Sequence, residues 1–291
     1  MDKHEIKSYF VNNYRLINKI GSGSFGDVFL VHDIKKDKDY ACKVEESKKS
    51  ARLQEEYSIY TKLRELGVKT GIPKVYSFIE TKTFNIMIME LLGRSLEQIN
   101  NDTKFNLETC LKLGYEIVSL LEKVHDAGFI HRDIKPSNFL VGYEKKNKVY
   151  MLDFGLSKQF MEKNKHMGFM AEKSLVGTAR YMSINVHMGI EPSRRDDLES
   201  FGYMLLYFMI GKLPWQGLKK KENITQVELI GEVKMCTNMK ELCKNIPQCF
   251  YNYIMYCRRL KFQEKPNYEY LKNLFVNTSK ELKCKLKYIF E

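Results

Sequence analysis

Hydrophobic and polar positions change rhythm about a third of the way along the chain. Early on, "YRLINKIGSGSFGDVFLVHD" alternates apolar and polar residues on both sides of a glycine cluster, and "DYACKVEE" keeps the same period of two. That period sends successive side chains to opposite faces of a strand, so a curled antiparallel sheet is expected. "ARLQEEYSIYTKLRELG" breaks it, because Leu53, Tyr57, Tyr60 and Leu63 recur at helical spacing and Gly67 can end the helix. "FNIMIMELLG" reads as a buried strand that runs out at Gly93. From about Ser95 helix follows helix. Among them "FGYMLLYFMIG", Phe201 to Gly211, is too short to span a bilayer and reads as a buried helix. The pattern predicts an α+β fold, with residues 1–92 forming an antiparallel sheet plus one helix and residues 93–291 a larger, mostly helical lobe.

Composition narrows the class. With 291 residues the chain can bury a substantial core, and 44% hydrophobic with 12% aromatic residues exceeds what a solvated, disordered chain carries. The seven cysteines are odd in number and contain no CxxC pair, which argues against a disulfide framework or a zinc ribbon and for reduced thiols. "MDKHEIKSYF" lacks the apolar core of a signal peptide, and Asp2 excludes myristoylation, so an intracellular protein of cytoplasm or nucleus is expected, without a transmembrane segment. A formal net charge of +12 favours acidic partners without choosing among them. No zinc-finger, recognition-helix or RNA-stacking motif accompanies it, so direct nucleic-acid binding is not expected.

Chemistry enters with the glycines. Gly21, Gly23 and Gly26 in "GSGSFGDV" share their spacing with dinucleotide-binding folds. Here, however, "DVFLVHD" after Gly26 alternates like a strand, so the glycines form a hairpin tip whose backbone N–H groups can approach a polyphosphate. In "YACKVE", Ala41 and Lys43 share one strand face, and a lysine beside Ala41 needs an anion. Glu56 falls inside the apolar stripe of the following helix whereas Glu55 points away, which makes Glu56 the candidate partner.

Two further motifs follow in order. "HRDIKPSN", His131 to Asn138, has the H-R-D-x-x-x-x-N spacing, and "MLDFGLSK" supplies Asp153, Phe154 and Gly155. With the glycine loop and Lys43, these make the chain resemble the eukaryotic protein kinases. The resemblance implies a bilobal kinase fold using ATP and Mg2+. Asp133 would accept the proton of the substrate hydroxyl, Lys135 would sit beside the transferring phosphoryl group, and Asn138 and Asp153 would hold the metal ions. Lys43, held by Glu56, would grip the inner phosphates under the loop formed by Gly21, Ser22, Gly23, Ser24, Phe25 and Gly26. It also assigns Ile20, Val28, Ala41 and Leu140 to the faces of the adenine slot, Met89 to its back wall, and the backbone of Glu90 and Leu92 to its hydrogen-bonding edge. Lys135, two residues after Asp133, points to serine/threonine specificity.

Where most protein kinases carry Ala-Pro-Glu, this chain has Ser183, Ile184 and Asn185. With "RRDDLESFGY" and "LPWQGL" following, it resembles the casein kinase 1 family. That family implies constitutive activity on acidic or already phosphorylated proteins; a monomer is expected. Thr178 would tie the activation segment to Asp133 and Lys135, Asp197 would brace the catalytic loop, and Lys173, Arg180 and Gly217 would form a substrate anion pocket. One position departs. Gln226 stands where the family typically has a lysine, and a neutral amide binds phosphate more weakly than a charged donor. A weakened preference for upstream phosphate is therefore expected, with Lys219, Lys220 and Lys221 as possible compensation. The chain stops soon after its last predicted helix, so no autoinhibitory tail is expected within it.

Overall fold

A computed structural model describes residues 14–23, 26–47, 52–163, 165–219 and 222–288. Ser24, Phe25, Lys220 and Lys221, singled out above, lie outside the described residues. The chain divides into two compact units. One comprises Met1–Arg94 with Leu140–Gly155, the other Ser95–Phe139 with Leu156–Glu291.

The first unit is built on a five-stranded antiparallel sheet of order β1-β2-β3-β5-β4, from Tyr14–Gly23, Gly26–Asp33, Lys38–Glu46, Val75–Glu80 and Phe84–Met89. Alternation decides its faces. Phe29, Val31, Tyr40, Cys42, Val44, Ile86 and Ile88 gather in one apolar cluster, leaving Ala41 and Lys43 for the other side of β3. Burial in this cluster pushes the Cys42 thiol well above its usual range, so it is not a reactive group. Between β2 and β3, Asp33 accepts the N–H groups of Lys35 and Lys36 at 3.0 and 3.2 Å and closes the turn.

The strand expected to continue to Gly93 stops at Met89. At Glu90 the backbone N–H still donates in register to the Lys74 carbonyl at 2.8 Å, but the Lys74 N–H donates to the Glu90 side-chain carboxylate at 3.0 Å. The chain then restarts as β6, Leu92–Ser95, in a small sheet of order β6-β8-β9 with Phe139–Gly142 and Val149–Met151.

Helix α1, Arg52–Glu65, buries Leu53, Glu56, Tyr60 and Leu63. Glu45 of β3 accepts the Leu53 N–H at 3.0 Å, placing a carboxylate at the positive end of the helix. At the other end Gly67 adopts φ 92°, and the Val68 N–H closes on the Leu63 carbonyl.

The second unit is mainly helical: α2 Leu96–Asp102, α3 Leu107–Asp126, α4 Ile184–His187, α5 Arg194–Ile210, α6 Gln226–Cys236, α7 Met239–Leu242, α8 Gln248–Arg259 and α9 Tyr268–Glu281. Its core is close-packed. A methyl group on Gly114 of α3 would lie 2.7 Å from the Phe275 ring of α9, and one on Gly202 of α5 would lie 2.7 Å from Ile254 of α8. The apolar run from Phe201 forms the buried body of α5. Among the described residues no helix is long and apolar enough to cross a membrane.

Candidate active site

In the first unit Lys43 is the focus. Its Nζ lies 2.6 Å from Glu56 Oε2 and 3.1 Å from Asp153 Oδ1, so one ammonium joins β3, α1 and the Asp-Phe-Gly segment. Burial alone would lower the Lys43 pKa. Glu56, and then Asp153, outweigh it and hold the ammonium above its usual range. Glu56 can sit in an otherwise apolar stripe because this charge meets it there.

Asp153 is held at φ 63°, a left-handed conformation uncommon outside glycine. Tyr60 fixes it. The Asp153 N–H donates to the Tyr60 hydroxyl at 3.1 Å, and the Tyr60 ring meets Phe154 edge-on at 5.0 Å. Sequence reading treated Tyr60 only as core. The available signal was its position one helical turn after Glu56 on the same face.

The glycine loop closes the β1–β2 hairpin, with Gly21 opposite Val28, Ser22 opposite Asp27 and Gly23 opposite Gly26. Gly26 is required, since a Cβ there would lie 2.2 Å from the Val44 carbonyl. Ser22 Oγ donates to Asp27 at 2.8 Å, and Lys19 pairs with the same oxygen at 2.6 Å. Strand register sets Val28 opposite Lys43 and Ala41 opposite Met89. Ala41, Met89 and Leu92 are buried, Val28, Glu90 and Leu140 half-buried, and Ile20 is 44% exposed. Plain core packing does not account for Ile20. A cavity of about 460 Å³ opens elsewhere in this unit, between His32, Tyr40, Tyr76, Glu90, Tyr143 and Tyr150. None of Lys43, Glu56 or Asp153 lines it, so side-chain chemistry locates the candidate site better than cavity size does.

In the second unit Asp133 is buried and engaged at both carboxylate oxygens. Thr178 Oγ1 donates to Oδ1 at 2.8 Å and Lys135 Nζ lies 2.6 Å from Oδ2. Asn138 Nδ2 donates to the Asp133 carbonyl at 2.8 Å, which turns the amide oxygen the other way. The loop hangs on Asp197 of α5, whose two oxygens accept the N–H groups of His131 at 2.7 Å and Arg132 at 2.8 Å. His125 of α3 meets Asp197 at 3.0 Å and the Tyr268 hydroxyl of α9 at 2.7 Å. Burial would raise the Asp197 carboxyl, but the bonds from His125 and the loop hold it below the usual range. His125 was not singled out in the sequence, because its partners lie 72 and 143 residues away.

Arg132 is satisfied internally. It sits at φ 67°, its Nε donates to the Leu156 carbonyl, and its Nη1 lies 3.9 Å from Glu191. Glu191 also faces Lys158 at 3.0 Å and Lys173 at 4.0 Å. Lys173 thus leans towards Glu191, whereas Arg180 lies 5.8 Å from the rings of Tyr181 and Tyr207 and gives its carbonyl to Trp215 Nε1. Gly217 has φ 71°. Gln226 directs its amide nitrogen to the Leu218 carbonyl at 3.3 Å, and its buried oxygen has no partner.

Donor chemistry suits a hard cation. In its own unit Asn138 presents an amide oxygen opposite its committed nitrogen, and in the other unit Asp153 presents a carboxylate, each the kind of oxygen donor that Mg2+ prefers. A metal held by oxygens of this kind would supply charge neutralisation at the phosphates.

Three of the sequence motifs thus acquire their neighbours in two groups, Lys43 with Glu56 and Asp153, and Asp133 with Lys135, Asn138 and Thr178. The protein kinase domain model matches residues 14–276, and the chain therefore belongs to the protein kinases, enzymes that transfer phosphate from ATP to proteins with a divalent metal, typically Mg2+.

Proposed function

We propose that this kinase phosphorylates serine or threonine in acidic or already phosphorylated proteins, in the manner of casein kinase 1, and needs no activation-loop phosphate. Residues 1–92 and 93–291 are its two lobes. Asp133 positions the substrate hydroxyl and accepts its proton, and Lys135 neutralises the phosphoryl group in flight. Asn138 and Asp153 hold magnesium, while Lys43 and Glu56 grip the inner phosphates beneath the glycine loop. Adenine lies between Ile20, Val28, Ala41 and Leu140, against Met89 and the backbone of Glu90 and Leu92.

The observation that carries this reading is the engagement of both Asp133 oxygens, by Thr178 and Lys135. It leaves the carboxylate oriented without any added group. Arg132 supports independence from loop phosphorylation, since the Leu156 carbonyl takes its Nε–H and Glu191 faces its Nη1 at 3.9 Å. The substrate anion pocket of Lys173, Arg180 and Gly217 gains no donor from Gln226, whose nitrogen is engaged by Leu218. An upstream phosphate is accordingly preferred, but weakly.

The test incubates unphosphorylated enzyme with ATP, Mg2+ and one peptide series carrying phosphoserine, aspartate or alanine three residues before the target serine. Rates should fall in that order, with phosphoserine ahead of aspartate by less than tenfold. Equal rates for all three would remove the pocket from the reading, and transfer only to tyrosine peptides would overturn it.

A further inference from the structure

Lys234 of α6 is completely buried, and no step of phosphoryl transfer uses it. Its Nζ donates to the backbone carbonyls of Ala179 at 3.0 Å and Met182 at 2.6 Å, and lies 3.1 Å from His187 Nε2. The stem passes between two aromatic rings, with Nζ 4.8 Å from the Tyr203 centroid and 5.2 Å from that of Trp215. Lysine is rarely this enclosed unless its donors are matched, and here each has an acceptor.

Both carbonyls belong to a short turn with one purpose visible at its start. Gly177 passes so close to the catalytic loop that a Cβ would lie 2.5 Å from the Arg132 carbonyl, and Thr178 then reaches Asp133. The Thr178 carbonyl accepts from the N–H groups of Tyr181 and Met182, both at 2.9 Å. The Arg180 carbonyl takes the Trp215 indole N–H at 2.8 Å. Lys234 supplies the partners for Ala179 and Met182, so the carbonyls of the turn are held by two side chains remote in sequence. Without Lys234 the Met182 carbonyl would lose its donor and the Ala179 carbonyl would keep only its contact with His187.

We propose that Lys234 is a positioning residue for phosphoryl transfer, clamping the Ala179 and Met182 carbonyls and so fixing the turn from which Thr178 orients Asp133. It acts through Thr178 and touches neither substrate nor metal.

The clamp works in either protonation state. Burial lowers the Lys234 pKa to about 7, with Glu199 of α5 opposing and Arg258 of α8 assisting the shift. His187 of α4, lowered to about 4 by burial and then by Lys234, stays a neutral imidazole, and Tyr203 of α5 bonds to Glu199. As an ammonium, Lys234 donates to both carbonyls and to His187. As an amine it keeps two N–H donors for the carbonyls and accepts from His187 Nε2–H instead.

The proposal rests on Asp133 orienting the substrate, and the experiment separates the two. Steady-state kinetics would compare wild type, K234M, T178V and the double variant, each at a temperature where circular dichroism shows it folded. K234M should lower kcat at least tenfold with KM for ATP within twofold of wild type. The double variant should be no slower than the slower single one, because both substitutions break the same link. Unchanged kcat in K234M, or losses that multiply in the double variant, would overturn the proposal. If K234M does not fold, K234L, which likewise carries no donor, is read by the same criteria. A wild type that transfers no phosphate to serine or threonine would instead sink the underlying functional reading.

Discussion

Asp133 carries the most direct test of the chemistry. Its carboxylate is held on one side by Thr178 and on the other by Lys135, and Asn138 anchors its backbone. Asp133→Asn keeps the shape and removes the proton acceptor. Removing a positioned general base typically costs about 10²–10⁴ in rate, so kcat should fall by that factor with little change in thermal stability. Continuous ATPase-coupled assay of peptide phosphorylation checks it. Lys43 is a different kind of residue, since two carboxylates compete for one ammonium. Its identity was readable from the strand alternation, and Glu56 from the helical stripe. That Asp153 shares the same ammonium was not, for 110 residues separate them.

Elements transmit position. Helix α1 presents Glu56 to Lys43 and, one turn later, Tyr60 to the Asp153 backbone, so one helix positions both Lys43 and Asp153. Tyr60→Phe removes one neutral hydrogen bond, worth about 0.5–1.5 kcal/mol, and leaves the ring against Phe154. kcat/KM for ATP should drop roughly three- to tenfold, since about 1.4 kcal/mol corresponds to a factor of ten. The melting temperature should fall by no more than a few degrees, and a larger fall with unaltered kinetics would make Tyr60 a core residue only. The end of β5 teaches a related point. Apolar residues resume at Leu91 and Leu92, yet the strand ends at Met89, where the Lys74 N–H donates to the Glu90 side-chain carboxylate. Periodicity records which residues prefer burial and says nothing of such a competing partner.

For the whole molecule, charge matters more than any one contact. A net charge of +12 attracts acidic groups in general, and salt screens that attraction with a Debye length of about 8 Å at physiological ionic strength. KM for an acidic peptide should therefore rise several-fold between 50 and 500 mM NaCl, while that for a neutral peptide of the same core sequence changes little. Equal salt dependence for both would assign recognition to short-range contacts alone. The fold supporting this chemistry was legible early. Two-residue alternation before residue 90 and helical periodicity after it are local properties, and they match the five-stranded sheet and the helices that follow.

Residue order alone suffices for the motifs, since each is a short string of residue types that can be read without knowing its distant partners. The elements follow from it too, because a strand or helix needs only its own neighbours to show a period. Pairings across long sequence separations are another matter: His125 with Asp197, Tyr60 with Asp153, and Lys234 with a turn some fifty residues earlier. Each depends on a distance of about 3 Å between chain segments that only packing brings together, and a buried polar group announces its partner only once the surrounding core has excluded water.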